Sequence, residues 1–418
     1  MTDAAHPQVL PSLGAESWLA RPQTQAVFGA LESAGFEARA VGGAVRNALM
    51  GQPVGDVDLA TPARPEEVIR AAQAAGLTCV PTGLEHGTVT LVSGHIPYEV
   101  TTLREDVETF GRHAKVAFST DWAADARRRD FTMNALYCTA DGTVIDPLGG
   151  YPDLVQRRVV FIGDARERIR EDYLRILRFF RFHAEYARGE PDRAAVEACV
   201  RERHGLAGLS AERVRSEFLK LLDAARTLPA VRAMHDFGLL ASILGAAPRP
   251  GLLARLIERE AAFGMRRDPL LRLSALVVAV EEDVEHLAAR LRLSNAERES
   301  VIVVDGRLAA VARLSDGEAR RELYRAGAPE IWRRLVLAAA AATAEASEET
   351  LHRLRDLPEQ WAMPRFPLRG ADALDLGMEP GPEVGRVLRV IEAWWIEGDF
   401  AADERVLRTR LAQMIRPQ

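Results

Sequence analysis

What most restricts the fold of this 418-residue chain is a change of hydrophobic rhythm near residue 150. Before it, short apolar runs alternate with glycine turns. A strand from Glu37 to Val41 runs into Gly42-Gly43 and then the helical stretch Ala44 to Met50. Asp56 to Ala60 alternates as a strand and stops at Thr61-Pro62, and Pro65 to Ala75 reads as a helix opened by proline. Two β-like runs, Thr88 to Val92 and Ile96 to Leu103, are split by Ser93-Gly94. The residues before Gly35 are predicted helical, with Ala26, Val27, Ala30 and Leu31 on one stripe. Arg104 to Asp121 is polar and aperiodic and reads as a mobile loop with Gly111 as its hinge. From Tyr151 onward nearly every segment has helical periodicity. The expected class is therefore α+β, a small mixed sheet with helices followed by an all-α remainder. The chain is too long for one ordinary core. With a second break at Pro248 and Pro250, three pieces are expected: 1–150, 151–247 and 248–418.

Composition narrows the setting. Hydrophobic residues at 48% with 27% charged describe a folded, soluble chain. No run approaches the roughly 18–20 apolar residues of a membrane span; Leu335 to Ala344, mostly alanine, suits a packed helix better. Met1 to Leu13 holds an early acid and two prolines, so no signal peptide is expected. Cys79, Cys138 and Cys199 have the spacing of neither a zinc site nor a disulfide framework, which points to the reducing cytoplasm. Net charge is −6, but residues 151–250 carry 18 basic and 14 acidic groups between two acidic flanks. A basic middle could serve as a polyanion track, or reflect an arginine-rich composition alone.

Three constellations carry chemistry. In Val41-Gly42-Gly43-Ala44-Val45-Arg46, a glycine turn leading into a helix lets backbone N–H groups approach a phosphate, and Arg46 could add a bidentate contact. Asp56 and Asp58, two apart on a strand, leave the same face of the sheet. Two adjacent carboxylates repel unless a cation lies between them, and magnesium, which keeps substrate phosphates as co-ligands, is the natural resident. Glu99, mid-strand between Tyr98 and Val100, is expected to be a third acid of this site, since an unpaired buried carboxylate there would be costly. The second constellation, Arg127-Arg128-Arg129-Asp130-Phe131-Thr132-Met133-Asn134, drives four charges into an apolar helix; Arg129 is expected to face a triphosphate and Asp130 to anchor the turn. In the third, Asp172, Arg175, Arg178 and Arg181 recur every three residues as one polar ridge over Leu174, Ile176, Leu177 and Phe180.

Together these motifs resemble the bacterial (class II) tRNA nucleotidyltransferase and poly(A) polymerase family of the polymerase-β superfamily. The resemblance covers about residues 36–245 and includes Gly208-Leu209-Ser210-Ala211-Glu212-Arg213-Val214, similar to the family's RNA-binding neck. Asn47 departs from it, since the family often has Asp there. The resemblance implies a polymerase-β-like nucleotidyltransferase head at 1–150, a base-reading and RNA-binding neck at 151–247 and a helical body and tail at 248–418, with tRNA binding expected in the tail. It implies Gly42, Gly43 and Arg46 on the nucleotide, Asp56 and Asp58 on Mg2+, and Arg129 on the nucleotide. Asp172 and Arg175 would read the base, with Arg178 and Arg181 on the triphosphate side. The catalytic acids would be Asp56, Asp58 and Glu99, the substrates CTP, ATP and tRNA lacking its CCA end; no protein partner is implied.

The base-reading role also has independent physical sense. Cytosine and adenine each present an amino donor beside a ring-nitrogen acceptor, which a carboxylate and a guanidinium can match; uracil and guanine invert that order. Within the family, a poly(A) polymerase would carry a Gly-Arg-Arg-Phe-like motif where this chain has Gly83-Leu84-Glu85-His86-Gly87. A CC-adding enzyme would have a shortened loop after the Glu99 strand, whereas Arg104 to Thr120 looks full length and is expected to govern the switch from C to A. From other classes come a catalytically silent RNA-binding relative and a fused His-Asp phosphohydrolase. For the latter, His235-Asp236 is the only pair of that kind and is expected to be helix-end packing.

Overall fold

The computed structural model describes residues 10–84, 87–110, 113–341 and 348–415. Seven strands form one mixed sheet in the order β3-β4-β5-β2-β1-β8-β9. They are β1 (Arg39–Val41), β2 (Val57–Thr61), β3 (Thr78–Val80), β4 (Thr88–Ser93), β5 (Ile96–Thr102), β8 (Tyr137–Cys138) and β9 (Val144–Ile145). The β2–β5 pairing is parallel and the others are antiparallel. Alternation explains the central strands: in β4 Val89, Leu91 and Ser93 are buried, and in β5 Tyr98, Val100 and Thr102. The helix Pro22–Ser33 buries Thr24, Val27, Phe28, Ala30 and Leu31, and Ala26, expected on that stripe, is exposed. Phe28 takes its place because a ring removes far more apolar area from water than a methyl group.

The expected mobile loop is corrected. Its backbone forms an antiparallel ribbon, β6 (Arg104–Phe110) with β7 (His113–Phe118), whose register shifts between Asp106 and Glu108. A ribbon held by its own hydrogen bonds needs no apolar face, so periodicity could not reveal it. Gly111 lies outside the described residues.

Beyond β9 every described element is helical. By contacts the chain divides into two compact units, Met1–Gly245 and Ala246–Gln418. Within the first, packing runs across the change of rhythm at residue 150. Phe131 lies 5.0 Å from both Phe161 and Phe182, and Phe161 stacks on Phe179 at 5.6 Å. The helix Leu174–Tyr186 therefore shares a core with the segment that follows the arginine run. In the second unit, Leu335 to Ala340 are buried in the helix Ala328–Ala341, against Leu252, Leu256 and Leu271. Among the described residues no helix is long and apolar enough to cross a membrane, and Cys79, Cys138 and Cys199 are free thiols. His235 and Asp236 end the helix Thr227–Asp236 exposed rather than packed, which corrects that expectation. Polar side chains at a helix end keep their charged tips in water when nothing pairs with them inside the protein.

Candidate active site

Strand register assembles the acids. Val41 pairs with Asp58 across β1–β2, which sets the Gly42-Gly43 turn alongside the start of β2. Gly42 takes φ 71°, a conformation glycine adopts without strain, and its carbonyl accepts the first hydrogen bond of the helix Gly43–Leu49 from Arg46 at 3.0 Å. On the other side, Asp58 pairs with Glu99 across the parallel β2–β5 ladder, so both carboxylates leave the same face. Glu99 is exposed, because alternation turns it away from buried Tyr98 and Val100; the expectation of a costly buried carboxylate there is corrected, although the strand and face were as expected. Asp56 is exposed just ahead of β2, and Asp58 is half-buried.

Burial, and then the neighbouring charges of Glu99 and Asp56, push the Asp58 carboxyl up to about 6 against the pull of Arg129. The side chains of Asp56, Asp58 and Glu99 make no hydrogen bond or ion pair with a described residue. Three crowded acids with that much uncompensated charge are the donor set a hard dication fits. They do not form a ready-made protein cage, since no group of three such ligands is closed around a point among the described residues. Magnesium does not require one, because it usually keeps water and phosphate oxygens as ligands.

Asp58 opens onto a cleft of about 390 Å³ that also takes in Gly42, Gly43, Arg129, Asp172, Arg175 and Arg178. Cavities of about 680 and 830 Å³ lie elsewhere, but neither contains a strand-borne acid beside a glycine turn. Size alone therefore does not select the site.

The arginines of the cleft are held by partners that the motifs did not reveal. Asp125, almost wholly buried, accepts from Arg128 Nε at 2.8 Å, Arg129 Nη2 at 2.9 Å and the Tyr137 hydroxyl at 2.8 Å. Burial pushes the Asp125 carboxyl up, yet Arg129, Arg128 and the Tyr137 hydroxyl outweigh it and hold it below its ordinary value. This clamp leaves Arg129 Nη1 close to Gly42. The i,i+3 and i,i+4 spacing of Asp125 to Arg128 and Arg129 was a readable signal.

Arg46, expected to add a bidentate phosphate contact, borders the same cleft and is braced by protein partners. Its Nη1 donates to Asn134 at 2.6 Å, its Nη2 to the Tyr186 hydroxyl at 2.7 Å, and Nε and Nη2 both donate to Asn47 Oδ1. Its guanidinium lies 4.1 Å over the Tyr186 ring, so four of its five N–H groups are engaged and one Nη1 hydrogen remains. Asn47, the departure from the family pattern, thus serves as the acceptor for this brace.

The polar ridge is likewise tied down. Asp130 Oδ2 accepts from Arg178 Nε and Nη2 at 2.8 and 2.6 Å, and its Oδ1 accepts from Asn134 Nδ2 and its neighbour Phe131 N–H. Asp130 anchors its turn as expected, but Arg178, expected on the triphosphate, is neutralised by it. Arg181, with the same expectation, donates to Glu217 at 2.6 Å and to Glu185 at 3.1 Å and is not among the residues bordering the cleft. Arg175 Nη1 donates to the Arg168 carbonyl and to Glu171, and its Nη2 to the Arg128 carbonyl at 3.3 Å. This leaves Nε and one Nη2 hydrogen for a ligand. Asp172 accepts from Leu174 N–H and from Arg213. Opposite charges this close pair within the protein; Glu171 four residues before Arg175 was readable from spacing, whereas Arg213 beside Asp172 was not.

Two family models match the chain: the poly(A) polymerase head domain over residues 38–160, and the "probable RNA and SrmB-binding site of polymerase A" over residues 190–253. The chain is 34% identical over 386 residues to the mitochondrial CCA tRNA nucleotidyltransferase 1 of Mus musculus, spanning 88% of this chain and 85% of that one. It is 32% identical over 373 residues to the CCA-adding enzyme of Lactobacillus delbrueckii subsp. bulgaricus, spanning 88% and 91%. Among solved structures, the Bacillus stearothermophilus CCA-adding enzyme in complex with CTP is similar with a TM-score of 0.68 at 28% identity, covering 94% of this chain and 98% of that one.

Proposed function

Because this chain belongs to the CCA-adding tRNA nucleotidyltransferase family, we propose that it adds C, C and A to tRNA ends without a template. The observation that carries the reading is the Asp58–Glu99 register beside the Gly42-Gly43 turn, opening on a cleft whose wall includes Asp172 and Arg175. The RNA 3′-hydroxyl attacks the α-phosphate of CTP or ATP, the bond to the β-phosphate oxygen breaks, and pyrophosphate leaves. Asp56 and Asp58 would hold Mg2+, with Glu99 beside them. Bound there, magnesium supplies charge neutralisation on the triphosphate and a lowered hydroxyl pKa. Arg129, clamped by Asp125, offers its Nη1 to the charge that develops on the phosphates. Asp172 accepts from the exocyclic amino group of C or A, and the remaining donors of Arg175 meet the ring nitrogen. Residues 1–150 would act as head, 151–247 as neck and 248–418 as body and tail, and the cytoplasm is the proposed compartment.

Incubating purified protein with tRNA lacking CCA, all four NTPs and Mg2+, then sequencing the 3′ ends, tests this reading. Ends of CCA are expected, and none with EDTA in place of Mg2+. Long A tracts would point instead to a poly(A) polymerase, CC ends to a CC-adding enzyme, and unchanged ends to a silent RNA-binding protein.

Asp172→Ala is expected to raise UTP and GTP use relative to CTP and ATP, read as kcat/KM for each nucleotide. A bidentate base contact carries about 1–3 kcal/mol of discrimination, so the ratio is expected to fall roughly tenfold or more. An unchanged ratio would remove Asp172 from base reading.

A further inference from the structure

The helix Ala211–Asp223 belongs to the segment matched by the RNA-binding family model, yet one of its faces organises the nucleotide cleft. Arg213 Nη2 donates to Asp172 Oδ2 at 2.6 Å, while Leu174 N–H donates to Oδ1 at 3.1 Å. One turn further along the same face, Glu217 accepts from Arg181 at 2.6 Å and lies 3.6 Å from Arg178. Asp172 and Arg213 are both partly exposed on the cleft wall, and Asp172 is the only ion-pair partner of Arg213 among the described residues.

A carboxylate whose two oxygens each already accept one donor can no longer turn freely. Its plane is set, and its unused lone pairs have fixed directions. Reading an amino group against a carbonyl depends on such a direction, because a carboxylate free to swing can avoid the repulsive alignment with a carbonyl oxygen.

We infer that Arg213 is a specificity-determining positioning residue: it fixes the plane of the Asp172 carboxylate, so that nucleotides with an exocyclic amino group are selected over those with a carbonyl at that place. The inference rests on Asp172 being the group that accepts from the base. Arg213 acts through Asp172 and makes no contact with the phosphates.

The test uses the full chain, tRNA lacking CCA and the four NTPs, with kcat and KM measured for wild type, Arg213→Gln, Arg213→Lys, Asp172→Ala and the double variant Asp172→Ala with Arg213→Gln. Arg213→Gln is expected to lower the CTP-to-UTP and ATP-to-GTP ratios of kcat/KM by about tenfold, with tRNA affinity unchanged. Arg213→Lys is expected to fall between Gln and wild type, because an ammonium supplies a donor but not the planar fork. The double variant is expected to match Asp172→Ala. Equal loss with all four NTPs would mean a packing role, weaker tRNA binding at an unchanged ratio would mean an RNA contact, and either overturns the inference. So would a double variant less selective than Asp172→Ala alone. If Asp172→Ala itself leaves the ratio unchanged, the base-reading assignment fails; if only Arg213→Gln does, that assignment stands and the role of Arg213 falls. Circular dichroism reports folding, and should the Gln variant not fold, the ratio for Arg213→Lys against wild type decides.

Discussion

Asp58→Asn is expected to lower nucleotide addition by roughly 10³-fold or more, the scale of losing several kcal/mol of metal-borne charge stabilisation. The same substitution is expected to leave the protein at least as stable as wild type, and this combination identifies the role. Asp58 is half-buried beside Glu99, and burial followed by the Glu99 and Asp56 charges raises its carboxyl to about 6. A carboxylate with a raised folded-state pKa is disfavoured by folding once pH exceeds its unfolded value. At neutral pH its charge is therefore a burden that an isosteric amide removes. Relief of about 1 kcal/mol would raise the melting temperature of the unit Met1–Gly245, which holds Asp58, by roughly 2–4 °C. Turnover and thermal melting on one preparation check both halves. Turnover within about tenfold of wild type would take Asp58 out of the chemistry.

Asp130→Ala is expected to have the largest effect on stability. Arg178, Asn134 and the Phe131 N–H all donate to this buried carboxylate, which joins the arginine run to the helix Leu174–Tyr186. Removing one member of a buried pair costs about 3–5 kcal/mol, because the partner charge is left uncompensated. Glu217, 3.6 Å from Arg178, offsets only part of that. Burial works against the Asp130 charge, yet Arg178, Asn134 and the backbone donor outweigh it and hold the carboxyl down to about 2. A depressed pKa contributes stability that is complete above the unfolded value of about 4 and is lost as pH falls from there toward 2. The gap in melting temperature between wild type and Asp130→Ala should accordingly be widest near neutral pH and shrink below pH 4. A gap independent of pH would mean that lost packing rather than lost charge is responsible. Adding Arg178→Met to Asp130→Ala should recover part of the loss, since it removes the stranded cation.

The sequence by itself determined the class of chemistry and the elements that carry it. Alternation placed β2, β4 and β5 within a residue or so of where they lie, with Asp58 inside β2 and Asp56 just ahead of it. These are local properties: a period of two, a glycine that can take φ 71°, a proline that opens a helix. The ribbon β6–β7 escaped because its pairing leaves no apolar period behind. Glu99 was placed on the right strand for a mistaken reason, since only sheet order shows that Asp58 lies next to it across β2–β5. The distant partners of the arginines were decided by tertiary structure. Residue spacing showed Arg46, Arg178 and Arg181 as cations near a presumed phosphate, while the fold delivered Asn134, Asp130 and Glu217 to them from 88, 48 and 36 positions away. A charge taken out of water must find an opposite partner close by, and which partner arrives depends on how helices cross rather than on their order in the chain. Arg213 beside Asp172 follows the same rule: 41 residues separate them in sequence, and only helix packing brings them to 2.6 Å.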